Sequence, residues 1–309
     1  MIEVCRIFDK KGAYFYYFPK LYALLRLFYV LFKLNRPFHG TWLTVPSVFA
    51  GALQASEGTL VRSISILLFA LFAWLATCVA NFINDYHDLE IDKICRPKAP
   101  LAAGIISRKR AWKMLMGEYI ISILLLIAAS IIAQSAIVLA LGTISLICTY
   151  IYSAPPLRTK SRGILGPTTI SVAYVAVLLG GWALVSELSI EAVKFAGFFG
   201  LLMLGIGFSK DFMHFEADKR FCSTPPVAYG VKATALIASL CLIFPIMFVS
   251  YFIQLSGVVI SLFKIPLIFA LISTFFMFTK PKAKNHNIVM SAFLAYINSA
   301  FIIIFGQIF

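Results

Sequence analysis

The chain is 309 residues long, 61% hydrophobic and only 13% charged, with a mean hydropathy of +0.91, against about 45–50% apolar and about 25% charged for a soluble domain. A water-soluble fold has no means of covering so much apolar surface, so the composition predicts a chain solvated by lipid. The net charge of +14 would suit a nucleic-acid binder, but where the charges fall argues for no nucleic acid and for a membrane topology signal instead.

Residues 1–37 read as a cytoplasmic and interfacial N-terminal segment, and residues 38–309 as one transmembrane domain. Met1 to Lys20 lack the apolar core and small-residue cleavage site of a signal peptide. Residues 21–34 are amphipathic and run into Asn35-Arg36-Pro37, which predicts a helix lying in the membrane interface. A spanning helix needs about 20 mostly apolar residues. Nine segments qualify: 38–56, 61–83, 112–132, 135–152, 168–186, 193–209, 231–252, 257–279 and 288–307. The expected class is therefore an all-α membrane protein with nine transmembrane helices.

Placing residues 1–37 and the loops after the even-numbered spans on one side gathers all but three of the 27 Lys and Arg there, the exceptions being Arg62, Lys194 and Lys264. Positive residues mark the cytoplasmic side, so the N-terminus is expected inside and the C-terminus on the opposite side. The six cysteines are scattered without a C-x-x-C pair, and neither a disulfide framework nor a zinc site is legible. Of 13 acidic residues, seven sit in two short segments, Asp85 to Asp92 and Asp211 to Asp218. Both segments follow even-numbered spans, four spans apart, which hints at a duplicated four-helix unit.

The first acidic segment reads Asn81-Phe-Ile-Asn84-Asp85-Tyr-His87-Asp88-Leu-Glu90-Ile-Asp92. If the helix continues, Asn84, Asp88 and Asp92 share one face, with Asn81 one turn earlier and Asp85 offset. Like charges at this spacing repel, and desolvation at a span end makes the conflict worse. A divalent cation relieves it, and hard oxygen ligands favour Mg²⁺ shared with substrate phosphates. A basic turn follows, with Arg96 and Lys98 near the acids as diphosphate contacts, Ser107 as the cap of the next helix, and Arg108 to Lys113 as topology signals.

After the fourth span comes Tyr152-Ser153-Ala-Pro155-Pro156-Leu-Arg158-Thr-Lys160. Two prolines make a rigid turn that presents cations beside a phenol. Tyr152, Arg158 and Lys160 are diphosphate-binding candidates, with the positive-inside bias as the competing account for the two cations. The sixth span ends in Lys210-Asp211-Phe-Met-His214-Phe-Glu216-Ala-Asp218. Asp211, His214 and Asp218 fall on one helical face as a second metal clamp, with Lys210 a further diphosphate contact. Asn81, Asp85 and His214 are secondary candidates. Glu118 and Lys264 fall inside spans but near their ends, where they are expected to snorkel. Acids gathered at one face rather than at the midplane argue against a transporter or channel.

These residues resemble the UbiA superfamily of intramembrane prenyltransferases. Asn84-Asp85-x-x-Asp88-x-x-x-Asp92, then Arg96-Pro97 with Pro100 and Gly104, match its first motif and tail. Tyr152-Ser153-Ala-Pro155-Pro156-Leu with Lys160 matches its middle loop, and Asp211 to Asp218, then Pro226-Val227 and Gly230, its second motif. The resemblance runs in order from about Asn35 to the last span. It implies nine helices around a central cavity opening near the cytoplasmic face. It also implies Mg²⁺ as cofactor, a prenyl diphosphate and a lipophilic acceptor as partners, and an alkylation as the reaction. By the same resemblance Asn84, Asp88, Asp92, Asp211 and Asp218 are the metal ligands. Many members carry Asp at the place of His214 and a second Arg at the place of Ala99, so the chain departs from the pattern there. The alternative is a membrane terpene cyclase of the same superfamily, in which the allylic cation is attacked by its own chain.

Overall fold

The computed structural model describes residues 19–38, 40–56, 63–212, 215–253, 257–279 and 283–306. It is helical, and among the described residues the one β-type contact is an isolated bridge between Arg162 and Ser223. In chain order the helices are α1 Pro19–Asn35, α2 Thr41–Ala55, α3 Ile64–His87, α4 Leu89–Cys95, α5 Arg108–Ile132, α6 Ala136–Ser153, α7 Leu165–Ala183 and α8 Ile190–Ser209. They continue as α9 Phe215–Phe221, α10 Pro225–Tyr229, α11 Val231–Met247, α12 Val249–Phe252, α13 Gly257–Leu262, α14 Lys264–Thr279 and α15 Ala283–Phe305. One-turn 3₁₀ helices cover Thr159–Ser161 and Lys210–Phe212.

Local sequence explains most of the boundaries. Ser63, Ser107, Ser135 and Ser189 each stand at an N-cap and accept a backbone N–H from the first turn with the side-chain oxygen, which satisfies one of the donors a helix start leaves open. The polar break expected near Gln134 is a tight turn between α5 and α6, with Gln134 at φ +51°. Ile120, Ile121, Leu124, Ile127 and Ile131 remain exposed along α5, a lipid-facing stripe in which the helical backbone bonds are satisfied internally.

Among the described residues, six stretches are long and apolar enough to cross a membrane: Ile64–His87, Arg108–Ile132, Ala136–Ser153, Leu165–Ala183, Ile190–Phe212 and Gly257–Thr279. The expectation of nine is met only in part among the described residues. The first expected span is the 15-residue α2, which runs through Pro46. The seventh is the 17-residue α11, which holds Pro245 and stops before Phe248, where a separate short helix begins. In the last helix the described residues include the apolar run Leu294–Phe305. A proline removes a ladder bond, and α11 ends two residues after Pro245, whereas α2 continues to Ala55 beyond Pro46.

The helices pack in a closed circuit, α2 on α3, α3 on α5 and α6, α6 on α7, α7 on α8, α8 on α11, α11 on α14, α14 on α15, and α15 back on α2. The α2–α7 contact crosses this circuit, and two glycines make it possible. A Cβ on Gly51 would lie 2.1 Å from the Leu178 carbonyl oxygen, and one on Gly181 would lie 2.1 Å from that of Val48. Backbone cannot yield as a side-chain tip does, so Gly181→Val is expected to destabilise the fold by ~3 kcal/mol, the upper end of overpacking costs. A lowered melting temperature in detergent checks this; a wild-type melt would show that the seam tolerates a side chain.

Candidate active site

The polar residues of this apolar chain converge where α3, α6 and α8 end. Backbone bonds carry the helix through the first motif, with the Asp88 N–H donating to the Asn84 carbonyl at 2.9 Å and Asp92 N–H to Asp88 at 2.7 Å. Asp88 itself takes φ −94° and ψ 12°, and this bend separates α3 from α4. The single face expected for Asn84, Asp88 and Asp92 is therefore divided between two sets of partners.

The first set is Asn84 and Asp88. Asn84 Oδ1 accepts from the Ser153 hydroxyl at 3.0 Å and from Lys160 Nζ at 2.7 Å. Asp88 accepts from Arg158 Nη2 at 2.8 Å through Oδ1 and from Lys160 through Oδ2. Burial pulls the Lys160 ammonium below the ordinary lysine range, while Asp88 acts against that shift. Arg158 holds φ +38°, a backbone conformation most side chains avoid, and so turns its guanidinium back onto the acid. The Pro155–Pro156 peptide just before it is cis.

The second set is Asp85 and Asp92. Buried Asp85 accepts from Arg36 and from Arg96 Nη2 at 2.8 Å, and Arg96 also donates to both oxygens of Asp92, at 2.9 and 2.5 Å. Burial pushes the Asp92 carboxyl up from its usual range, opposed by Arg96. Burial weakens the Arg96 guanidinium, but Asp85 and Asp92 outweigh it and hold the proton more tightly than usual. Each buried acid here has a cationic partner, without which its desolvation would be costly. Lys98, expected as a diphosphate contact, is exposed and forms no ion pair among the described residues.

The second motif departs from a continuous helix. Lys210–Phe212 is a 3₁₀ turn, and the chain is helical again from Phe215. His214, expected on the same face, lies outside the described residues. Asp211 is buried and paired with Lys210. Lys210 Nζ also lies 5.7 Å from the centre of the Tyr152 ring. Asp218 Oδ2 accepts from the Thr224 hydroxyl at 3.2 Å.

The middle loop bridges the first motif and the segment just after the second. Lys160 holds Asn84 and Asp88, while the neighbouring Ser161 hydroxyl meets Cys222 Sγ at 3.4 Å and Gly163 N–H donates to the Ser223 carbonyl at 2.7 Å. Tyr152 lies within electrostatic reach of Lys210, Asp211 and Asp88 together. Both motifs also repeat one local pattern, a long helix, a break and a seven-residue helix, α3 then α4 and α8 then α9.

Sequence reasoning missed Arg36, Ser153 and Thr224 as partners of the acids. Arg36-Pro37 and Ser153 stood in quoted motifs, but only the packing of α1 and α6 on α3 shows what they touch. Asn81 donates to the Asn35 carbonyl at 3.1 Å, so it fixes the end of α1. Among the aromatic residues, Phe208 is buried core and Tyr150 is partly exposed.

The profile of the UbiA prenyltransferase family matches residues 44–299. Digeranylgeranylglyceryl phosphate synthase from Pyrococcus horikoshii is 32% identical over 195 residues, 62% of this chain and 65% of that protein. Chloroplastic chlorophyll synthase from Arabidopsis thaliana is 31% identical over 179 residues, 56% of this chain and 46% of that protein. The aligned chain thus spans just under two thirds of the first relative and under half of the second. A solved structure described as a UbiA homolog from Archaeoglobus fulgidus bound to GPP and Mg²⁺ superposes with a TM-score of 0.68 at 17% identity, covering 90% of this chain and 99% of that one. At that identity it shows a common fold.

Proposed function

The chain belongs to the UbiA prenyltransferase family, and from that premise we propose that it transfers a prenyl group from a prenyl diphosphate to a lipophilic acceptor. The observation that carries this reading is the meeting of Asn84 and Asp88 with Arg158 and Lys160 on a loop that also contacts Cys222 and Ser223, just after the second acidic motif. A structural ion pair needs no asparagine and no second acidic motif beside it, whereas a diphosphate needs cations and metal ligands together.

The donor set fits Mg²⁺. Among the described residues no three His, Cys, Asp or Glu side chains gather into a closed cage, and Mg²⁺ is usually held by one or two carboxylates plus phosphates and water. Asn84 and Asp88 would hold one ion, Asp211 and Asp218 a second, with Asp92 as a further candidate beside the first. When bound, Mg²⁺ supplies Lewis-acid stabilisation of the departing diphosphate. Arg158 and Lys160 exchange Asp88 for phosphate oxygens, which leaves a carboxylate edge of Asp88 for the ion. Arg96, Lys98, Lys210 and Tyr152 complete the diphosphate contacts. Apolar helices exclude water from the allylic cation until the acceptor attacks.

The fold that serves this chemistry is nine transmembrane helices around a central cavity open near the cytoplasmic face, formed by residues 38–309 behind an interfacial segment 1–37. The basic residues Arg36, Lys93, Arg96, Arg158 and Lys210 support an inside N-terminus and an opposite C-terminus. The acceptor class covers quinone precursors, tetrapyrroles, lipids and secondary metabolites. Mass spectrometry of membranes supplied with several prenyl diphosphates and candidate acceptors tests the reading. Prenylated acceptor formed only with Mg²⁺ is the expected result. A cyclic hydrocarbon from geranylgeranyl diphosphate alone would instead establish the cyclase alternative.

A further inference from the structure

A carboxyl group outside both motifs sits in the interior with half its hydrogen-bonding capacity unused. Glu118 lies in α5, and its Oε1 accepts from Asn35 Nδ2 at 2.7 Å. The expectation that Glu118 snorkels is not met: its Oε2 is buried and, among the described residues, has no hydrogen-bond partner. The same is true of Asn35 Oδ1. No Lys, Arg or His among the described residues forms an ion pair with Glu118. The groups around it are Asn35 on α1, Cys78 on α3, and the Ser122 hydroxyl, which donates to its backbone carbonyl at 2.9 Å.

An ionised carboxylate without a cation in a membrane span is strongly disfavoured. A primary amide and a carboxylic acid, by contrast, are complementary along one edge: the amide N–H donates to one acid oxygen, and the acid O–H donates to the amide oxygen. The first of these bonds is present. The two atoms left over are both acceptors, both buried and both unpaired, and a single proton on Oε2 satisfies both. We propose that Glu118 is a neutral carboxylic acid, paired edge to edge with Asn35, and that it is a positioning residue for the site.

What it positions follows from the chain. The Asn35 carbonyl holds Asn81 at 3.1 Å, one turn before Asn84, and the next residue, Arg36, pairs with Asp85. The acid–amide pair therefore pins the end of α1 against α5 and fixes where Arg36 meets the first motif. Loss of the pair frees Arg36 from Asp85, which then holds only Arg96, a diphosphate contact in the proposed scheme; the shift of Arg96 weakens the grip on the diphosphate without touching a metal ligand. This positioning role rests on the reading of the site as a prenyl-diphosphate site; the proton on Glu118 does not.

The test uses purified full-length protein in lipid nanodiscs. In infrared spectra taken in H₂O and D₂O, the difference between wild type and Glu118→Gln should contain the C=O stretch of a protonated carboxylic acid, shifted by deuteration. Carboxylate bands in its place would overturn the proton. The Michaelis constant for geranylgeranyl diphosphate should stay within about twofold in Glu118→Gln, whose amide reproduces both bonds, and in the swap Asn35→Asp/Glu118→Gln. In Glu118→Ala it should rise by at least about tenfold, as expected when a buried donor loses its partner, with little change in kcat. A thermal melt identifies a variant that fails to fold. Glu118→Gln as inactive as Glu118→Ala would make Glu118 an ionised base, and an unchanged Glu118→Ala would make it a bystander; either overturns the role. Absence of turnover by wild type would overturn the prenyl-transfer reading and with it the positioning role, while the infrared band still decides the proton.

Discussion

Asp88→Ala is expected to lower kcat for prenyl transfer by at least about a thousandfold, the scale on which preorganised charge stabilisation is lost from an active site. Asp88 is where the two requirements of the site overlap. In the proposed scheme its carboxylate is an oxygen ligand for the ion, and its ion-pair partners Arg158 and Lys160 are the cations that would receive the diphosphate. The substitution removes the ligand and leaves Lys160 with only Asn84 to hold it. Some stability is lost as well, because a buried ammonium without its acid is costly, so a thermal melt must accompany the assay. Radiolabelled prenyl diphosphate with saturating Mg²⁺ and acceptor gives the rate, and full activity in a folded Asp88→Ala protein would rule out the metal scheme.

Asp218→Ala is the second large effect, with an expected loss of at least about a hundredfold in kcat. Asp218 receives a hydrogen bond from Thr224, which orients the carboxylate as an outer partner orients a metal ligand. The variant discriminates between two accounts of the second motif. As a solvated helix end, Asp218 would be replaceable at no cost to turnover. As the ligand of a second ion, its loss should also raise the Mg²⁺ concentration needed for half-maximal rate, an effect that a fold defect does not produce. A titration of rate against Mg²⁺ in wild type and variant measures this directly.

The membrane class, the helix starts and the two acidic segments were legible because each depends on local signals. Ser107 caps α5 as its position suggested, and the turn at Gln134 lies where polar residues interrupt the hydropathy. What was not legible depends on bends and on contacts distant in sequence. The bend at Asp88 divides the first motif, so Asp92 and Asp85 share Arg96 while Asn84 and Asp88 face the middle loop; a helical wheel assumes a continuous helix. Arg36 and Asp85 are 49 residues apart, and no local pattern pairs them. Glu118 was assigned to the interface by its distance from the span end, which ignores that α1 brings Asn35 to it.

Prenyl transfer at this site requires that Asn84, Asp88, Asp211 and Asp218 act on one diphosphate through Mg²⁺. Its most direct test is the binding of an unreactive S-thiolodiphosphate analogue of geranylgeranyl diphosphate to purified wild type, Asp88→Asn and Asp218→Asn, each with and without Mg²⁺. Tight binding by wild type that needs Mg²⁺ and fails in both variants is the predicted result. Equal binding with and without the ion, or binding untouched by either substitution, would contradict it.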